Sequence, residues 1–319
     1  MKNSTKFIGG IFIILFIGFI WMGFNNSKGD VTGNIISENK DLKVSDQNNK
    51  IEIKGSDTIV QLVSNLAEDF SKNNPDTKIS VTGGGSGTGI AALLNGEIDL
   101  ADSSRSIEQK ELDLAREKSL DVKEVIIARD MLSVIVNKDN KVDRLTIEEL
   151  SKIYKGEIKN WNEVGGKDQK ITLYGRQSTS GTYTFFLEHV VKGEYSENMR
   201  NLEGNQAIFE AVKQDKGGMG YIGIGYLKEG LKNENNKIKA VDVSYDGKDY
   251  FSPLDESKIN DYPISRGLFQ YTKMKPVKGT ELYDFIQFEL SEQGQKIVED
   301  SGFVKIANSD KQKNNDVLG

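Results

Sequence analysis

Four loops in this sequence are rich in hydroxyl side chains, three of them with glycine. Three lie early: Gly55-Ser56-Asp57-Thr58, Gly83-Gly84-Gly85-Ser86-Gly87-Thr88-Gly89 and Asp102-Ser103-Ser104-Arg105. The fourth, Gly175-Arg176-Gln177-Ser178-Thr179-Ser180-Gly181-Thr182, adds a guanidinium. Each runs into a segment with helical spacing. A hydroxyl can donate a hydrogen bond, the first N–H groups of a helix have no partner within it, and glycine lets backbone approach closely. An arginine fork aims two N–H groups at one oxyanion. Ser56, Ser86 and Ser104 on one side, and Arg176 with Ser180, Gly181 and Thr182 on the other, suit the holding of a small oxyanion. Taken singly, each feature has a plainer reading: Ser180 as a helix cap, Arg176 in a surface ion pair, the glycine run as a flexible turn. Their joint occurrence favours binding.

Other chemistry is excluded. The chain has no cysteine and one histidine, which removes thiol catalysis, disulfides and structural zinc and makes a His-rich metal site implausible. Ser180 and His189 stand about 13 Å apart along a helix at ~1.5 Å per residue, too far for a Ser–His nucleophile pair. The glycine run at 83–89 lacks the Gly-Lys-Ser/Thr of a Walker loop. Gly218-Met219-Gly220-Tyr221-Ile222-Gly223 has dinucleotide-fingerprint spacing, but it follows a helix and reads as part of a glycine-rich strand over 217–227 with no amphipathic helix after it. With 42 Lys+Arg against 48 Asp+Glu, the net charge is −6. That argues against nonspecific nucleic-acid binding, which needs a basic field. It leaves a small anion open, because local donors can act against an unfavourable global field.

These loops must be positioned by the elements around them. Strand patterns at 51–54, 78–82, 98–101, 124–127 and 132–136 alternate with helical patterns. The first helix places Ile59, Leu62, Val63, Leu66 and Phe70 on one face; others cover 90–94 and 108–118. Such alternation implies an α/β fold with a mainly parallel sheet, in which ligands sit at the carboxyl ends of strands. Further on, Thr146-Ile147-Glu148-Glu149 reads as a capping box. A strand at 171–174 leads into the Arg176 loop and a helix at 183–191, followed by a helix at 206–212. A strand at 268–272 and one long helix at 280–299 close the pattern. A chain of 319 residues suggests two lobes at roughly 150 residues each.

The amino terminus has its own signature. Lys2 and Lys6 precede an apolar run at 7–24, which directs the rest of the chain out of the cytoplasm. The length of the run favours an uncleaved signal anchor over a cleaved, secreted form. No cysteine follows to carry a lipid. Residues 25–50 read as a flexible tether and 308–319 as a disordered tail.

Taken in order, the four loops, Gly220-Tyr221-Ile222-Gly223, Tyr262-Pro263-Ile264-Ser265-Arg266 and Phe285-Ile286-Gln287-Phe288-Glu289-Leu290-Ser291-Glu292-Gln293-Gly294-Gln295 resemble the extracytoplasmic phosphate-binding proteins of the phosphate-specific ABC transporter. The resemblance covers 51–306. It implies a two-lobed type II periplasmic-binding-protein fold with mixed, mainly parallel sheets and a ligand cleft between lobes. Lobe I would take 51–140, lobe II 141–261, and 262–307 would return to lobe I. It implies dehydrated inorganic phosphate as ligand, held by Ser56, Asp57, Thr58, Ser86, Ser104, Arg176, Ser180, Gly181 and Thr182. No catalysis, cofactor or metal is expected. The partners would be the permease and ATPase subunits of an ABC transporter, with the binding protein itself a monomer.

One position departs from the family pattern. Many members carry Asp where this chain has Ser104, and that carboxylate accepts the proton of hydrogen phosphate and so excludes sulfate. Ser104 cannot repel sulfate, and Arg105 beside it adds a donor that suits any oxyanion. Asp57 is the candidate replacement acceptor, with Asp102 next, although an Asp before a helix is also an ordinary cap. Receptors for sulfate, molybdate or tungstate, a phosphate-ester hydrolase and an anchored phosphate sensor remain as alternatives.

Overall fold

The computed structural model describes residues 49–319. The export run and nearly all of the tether lie outside the described residues. In chain order the elements are β1 (Lys50–Gly55), α1 (Val60–Asn73), β2 (Lys78–Thr82), α2 (Ser86–Leu94), β3 (Leu100–Ser103), α3 (Gln109–Glu117) and β4 (Lys123–Met131). There follow β5 (Ser133–Asn137), β6 (Arg144–Thr146), α4 (Ile147–Lys155), β7 (Thr172–Arg176), α5 (Gly181–Phe186), β8 (Arg200–Leu202), α6 (Gly204–Gln214), β9 (Gly218–Ile222) and α7 (Ile224–Leu231). The chain ends with β10 (Ile238–Ala240), β11 (Asp242–Ser244), β12 (Ser265–Thr272), α8 (Glu281–Leu290), α9 (Glu292–Asp300) and α10 (Asn308–Leu318).

Two five-stranded sheets organise these elements, in orders β2-β1-β3-β12-β4 and β10-β5-β9-β7-β8, with β6 and β11 pairing apart. In the first sheet β1 runs parallel to β2 and β3, whereas β12 is antiparallel to β3 and β4. In the second, β7 is parallel to β8 and β9, and β5 is antiparallel to β9 and β10. The loops after β1, β3 and β7 therefore leave the carboxyl ends of parallel-paired strands, the usual ligand edge of α/β sheets. Amphipathic helices cover the faces: α1 buries Leu62, Val63, Leu66, Ala67 and Phe70, the i, i+3, i+4 stripe that the sequence shows. The capping box at the start of α4 forms as expected, with the Thr146 hydroxyl accepting from the Glu149 N–H, and left-handed Gly156 (φ 77°) ends the helix.

The chain crosses between sheets twice, after β4 and before β12. The first crossing comes at Leu132, so β5 belongs to the second sheet and not to a first lobe reaching 140. The crossings touch: the Leu132 N–H donates to the Ile264 carbonyl (3.1 Å) and the Tyr262 hydroxyl to the Leu132 carbonyl (2.9 Å).

Other expectations are also corrected. The long helix at 280–299 breaks at Ser291, whose extended backbone (ψ 168°) ends α8 while its hydroxyl caps α9. The region 217–227 is strand only through Ile222, and a helix, α7, does follow it. Helix α5 ends at Phe186 and continues as one π-turn, Leu187–Val191. The expected tail is helix α10. The Asn314 amide brackets Ile126, accepting from its N–H (2.9 Å) and donating to its carbonyl (2.8 Å), and Arg129 forks onto Asp310 (2.6 and 2.9 Å). Polar anchors hold this helix together with Leu318, which is buried in the core at its last turn. Among the described residues no helix is long and apolar enough to cross a membrane.

Candidate functional site

Glycine geometry sets the loops of the first lobe. Gly55 (φ 150°) leaves no room for a side chain, since a Cβ there would lie 2.1 Å from the Asp102 carbonyl oxygen. The next residue, Ser56, donates its N–H to that same carbonyl (2.9 Å), and its hydroxyl accepts from the Thr58 N–H (3.2 Å). This brings the β1–α1 loop against β3. Ser86 opens α2 after two left-handed glycines, Gly84 and Gly85 (φ 120° and 94°). From the second lobe come Arg176 at the end of β7, Ser180 as the cap of α5, accepting from the Tyr183 N–H (3.4 Å), and Gly181 and Thr182 in its first turn.

These groups meet across the cleft. Thr58 Oγ1 lies 2.9 Å from Thr182 Oγ1, which lies 3.3 Å from Ser104 Oγ. Ser104 Oγ is 3.4 Å from Ser86 Oγ, and the Ser104 N–H donates to the Ser86 oxygen (3.1 Å). All four residues are buried. Gly181 permits the approach: a Cβ there would stand 2.3 Å from Ser86 Oγ and 3.0 Å from Ser104 Oγ. The Gly87 N–H donates to the Thr179 carbonyl (3.0 Å), a second backbone-level contact between lobes.

Beside the hydroxyls lies an ion pair that spans the cleft. Arg176 Nη2 donates to Asp57 Oδ2 at 2.6 Å, with the arginine side chain 1% exposed and the aspartate 19%. Asp57 Oδ1 accepts from the Gly84 N–H (2.8 Å), and the Tyr226 hydroxyl donates to the Asp57 carbonyl (2.9 Å). Burial pulls the Arg176 pKa below its usual value and the Asp57 charge pulls it back up; an arginine stays cationic through such a shift. Its Nη1 is buried without a partner, a donor that a bound anion would satisfy. Among the described residues no three His, Cys, Asp or Glu side chains are grouped to hold a metal ion.

This geometry can be set beside known proteins. Residues 42–293 match the PBP superfamily domain. The phosphate-binding protein PstS of Staphylococcus haemolyticus is 34% identical over 281 residues, 86% of this chain and 85% of that protein. PstS of Staphylococcus aureus strain USA300 is 34% identical over 277 residues, 85% and 81% respectively. The chain belongs to the PstS family. Among solved structures, an ABC-type phosphate transport receptor from Vibrio cholerae superposes with a TM-score of 0.65 at 28% identity, covering 80% of this chain and 100% of that one. A Clostridium perfringens protein assigned as a phosphate ABC transporter substrate-binding protein, solved with bound phosphate, gives 0.70 at 29% identity, covering 81% and 100%. The α/β, two-lobed fold with mixed sheets is thus the type II periplasmic-binding-protein fold.

Of the ten expected residues, Asp57, Thr58, Ser86, Ser104, Arg176, Gly181 and Thr182 meet across the cleft, the hydroxyls of Ser56 and Ser180 bond only within their own loops, and Arg105 faces away. Arg105 turns its guanidinium onto α3, with Nη1 and Nη2 donating to the two Glu111 oxygens (2.8 and 2.7 Å) and Glu108 at 3.1 Å. Carboxylates three and six residues ahead outcompete any role toward the cleft. Asp102 also faces elsewhere, accepting from Gln270 Nε2 (3.1 Å), which donates equally to Glu289 (3.1 Å). Burial pushes the Asp102 carboxyl up to about 7. His189 stacks on Phe185 with ring centres 4.2 Å apart, its Nδ1 3.0 Å from the Phe185 carbonyl oxygen. Two supports of the site were given no role by sequence reasoning: Tyr221, seen only as part of the Gly220–Gly223 segment, whose hydroxyl accepts from the Arg176 N–H (3.3 Å), and Asp130, paired with Arg266. Both are buried strand residues that become neighbours of the loops only when the sheets form.

Proposed function

We propose that this chain captures inorganic phosphate outside the cytoplasm and delivers it to the permease and ATPase of an ABC transporter, without covalent chemistry. The observation that carries this reading is the convergence of buried hydroxyls from both lobes beside the buried Arg176 guanidinium. The PstS relatives support phosphate as the anion. Ser56, Asp57, Thr58, Ser86, Ser104, Arg176, Ser180, Gly181 and Thr182 would form the site. Hydroxyls and the Arg176 fork donate to the anion's oxygens, and Asp57 accepts the remaining proton of hydrogen phosphate while keeping Arg176 oriented. Contacts from both lobes make the closed form the one the ligand favours. The protein would act as a monomer held outside the membrane by its amino-terminal anchor.

A second reading, a receptor for sulfate, molybdate or tungstate, is favoured by one observation: the four-hydroxyl cluster contains no carboxylate, because Ser104 stands where many family members have Asp. Calorimetric titration of ligand-free protein with each anion decides between them. Phosphate binding with at least tenfold weaker sulfate and molybdate binding is expected; preference for one of the others would overturn the phosphate assignment.

A further inference from the structure

Asp130 and Arg266 form an ion pair with side chains 0% and 2% exposed. They are register partners on β4 and β12, the two strands at which the chain leaves and re-enters the first sheet. Arg266 Nε and Nη2 both donate to Asp130 Oδ2 (2.9 and 2.7 Å). The remaining nitrogen, Nη1, donates to the backbone carbonyl of Ser104 (2.9 Å). Asp130 Oδ1 accepts from the N–H of Ile224, the first residue of α7 in the second lobe (2.9 Å). The Arg266 guanidinium lies 5.3 Å from the centre of the Phe185 ring on α5, the helix that also carries Thr182. One pair therefore touches a site loop and, at two points, the opposite lobe.

A buried ion pair is a poor source of net stability, since an apolar pair of similar volume commonly does as well. Orientation is the stronger use for it: a planar fork fixes three acceptor directions at once. We propose that Arg266, held by Asp130, is a positioning residue for anion binding. It fixes the Ser104 turn from behind, while Phe185 of the other lobe seats its guanidinium and α7 of that lobe holds its partner Asp130, so that lobe closure and presentation of the Ser104 hydroxyl are one event. The inference rests on the phosphate reading above, because phosphate binding is its readout.

The test uses the full chain and phosphate, with affinity from calorimetry, dissociation from stopped flow and folding from thermal denaturation. Arg266→Lys keeps the charge but has no fork to reach Asp130 and Ser104 together. It should weaken phosphate binding roughly tenfold, within the range of couplings between contacting residues, chiefly through faster dissociation. In a Ser104→Ala background the same substitution should cost less than twofold more. A purely structural role would give the same loss in both backgrounds, and that result overturns the proposal, as does an Arg266→Lys affinity within twofold of wild type. If Arg266→Lys does not fold, Phe185→Leu keeps an apolar side chain and loses the ring face. It should speed dissociation about threefold, the scale of one cation–π contact, and an unchanged rate would refute the idea. A wild type that binds no phosphate overturns the phosphate reading and this inference together; a wild type that binds, with variants like it, overturns this inference alone.

Discussion

Asp57 carries two tasks with one carboxylate. One oxygen holds Arg176 and the other takes the Gly84 N–H, while each keeps lone pairs for a further donor. A carboxylate beside a bound anion accepts from hydrogen phosphate but meets only like charge on sulfate, a mismatch that costs several kcal/mol in a dry site. Asp57→Asn keeps the shape and removes the charge. Phosphate affinity should fall modestly and sulfate affinity should appear or rise, read by competitive binding near neutral pH. An unchanged selectivity would make Asp57 only the partner of Arg176 and the Gly84 N–H. What was legible at this scale is placement: Ser86, Ser104 and Arg176, each read in a loop following a strand, do come to the cleft. Arg105 serves α3 instead of the cleft, and Glu108 and Glu111 stand close enough in sequence to compete for it. Asp130 could not be found at all, because its partner lies 136 positions away on another strand.

Element packing places a second group of acids beneath the site. Asp102 on β3 and Glu289 on α8 are fully buried and share Gln270 of β12, with Asp102 Oδ2, Glu289 Oε2 and Gln270 Oε1 left without partners. Burial pushes Asp102 up to about 7 and Glu289 well above its ordinary value, the neighbouring Asp102 charge adding to the second shift. For an acid with a raised folded pKa, the folded state holds the proton that the unfolded state has released. Stability then falls as pH rises from about 4 toward 7, by up to about 1.4 kcal/mol per unit for one group. Asp102→Asn removes that group, so its stability relative to wild type should improve between pH 5 and pH 8, measured by urea denaturation at both. An equal difference at the two values would contradict the assignment. Apolar periodicity revealed α1 and the main strands, but it was blind to α10, which docks through Asn314, Asp310 and the single core residue Leu318, and to the break at Ser291, which is a backbone feature.

At the scale of the molecule, an acidic chain of net charge −6 binds an anion only if local donors dominate the long-range field. The contacts joining Thr58 to Thr182, Asp57 to Arg176 and Gly87 to Thr179 all run between lobes, so ligand binding and lobe closure should be one equilibrium. Small-angle scattering of initially ligand-free protein should show a smaller radius of gyration with phosphate, and an unchanged profile at saturation would count against closure. Two lobes were suggested by chain length and by the resemblance, while the position of the first crossing was not legible, because no glycine or proline separates the β4 pattern from the β5 pattern between Val125 and Val136. Calorimetric titration of wild type and Arg176→Ala with phosphate reads whether the anion sits on Arg176 between the lobes. Removing one partner of a buried charge contact costs about 2–5 kcal/mol, so wild type should bind phosphate and the variant at least tenfold more weakly, at ~1.4 kcal/mol per decade; a loss under threefold would place the anion elsewhere.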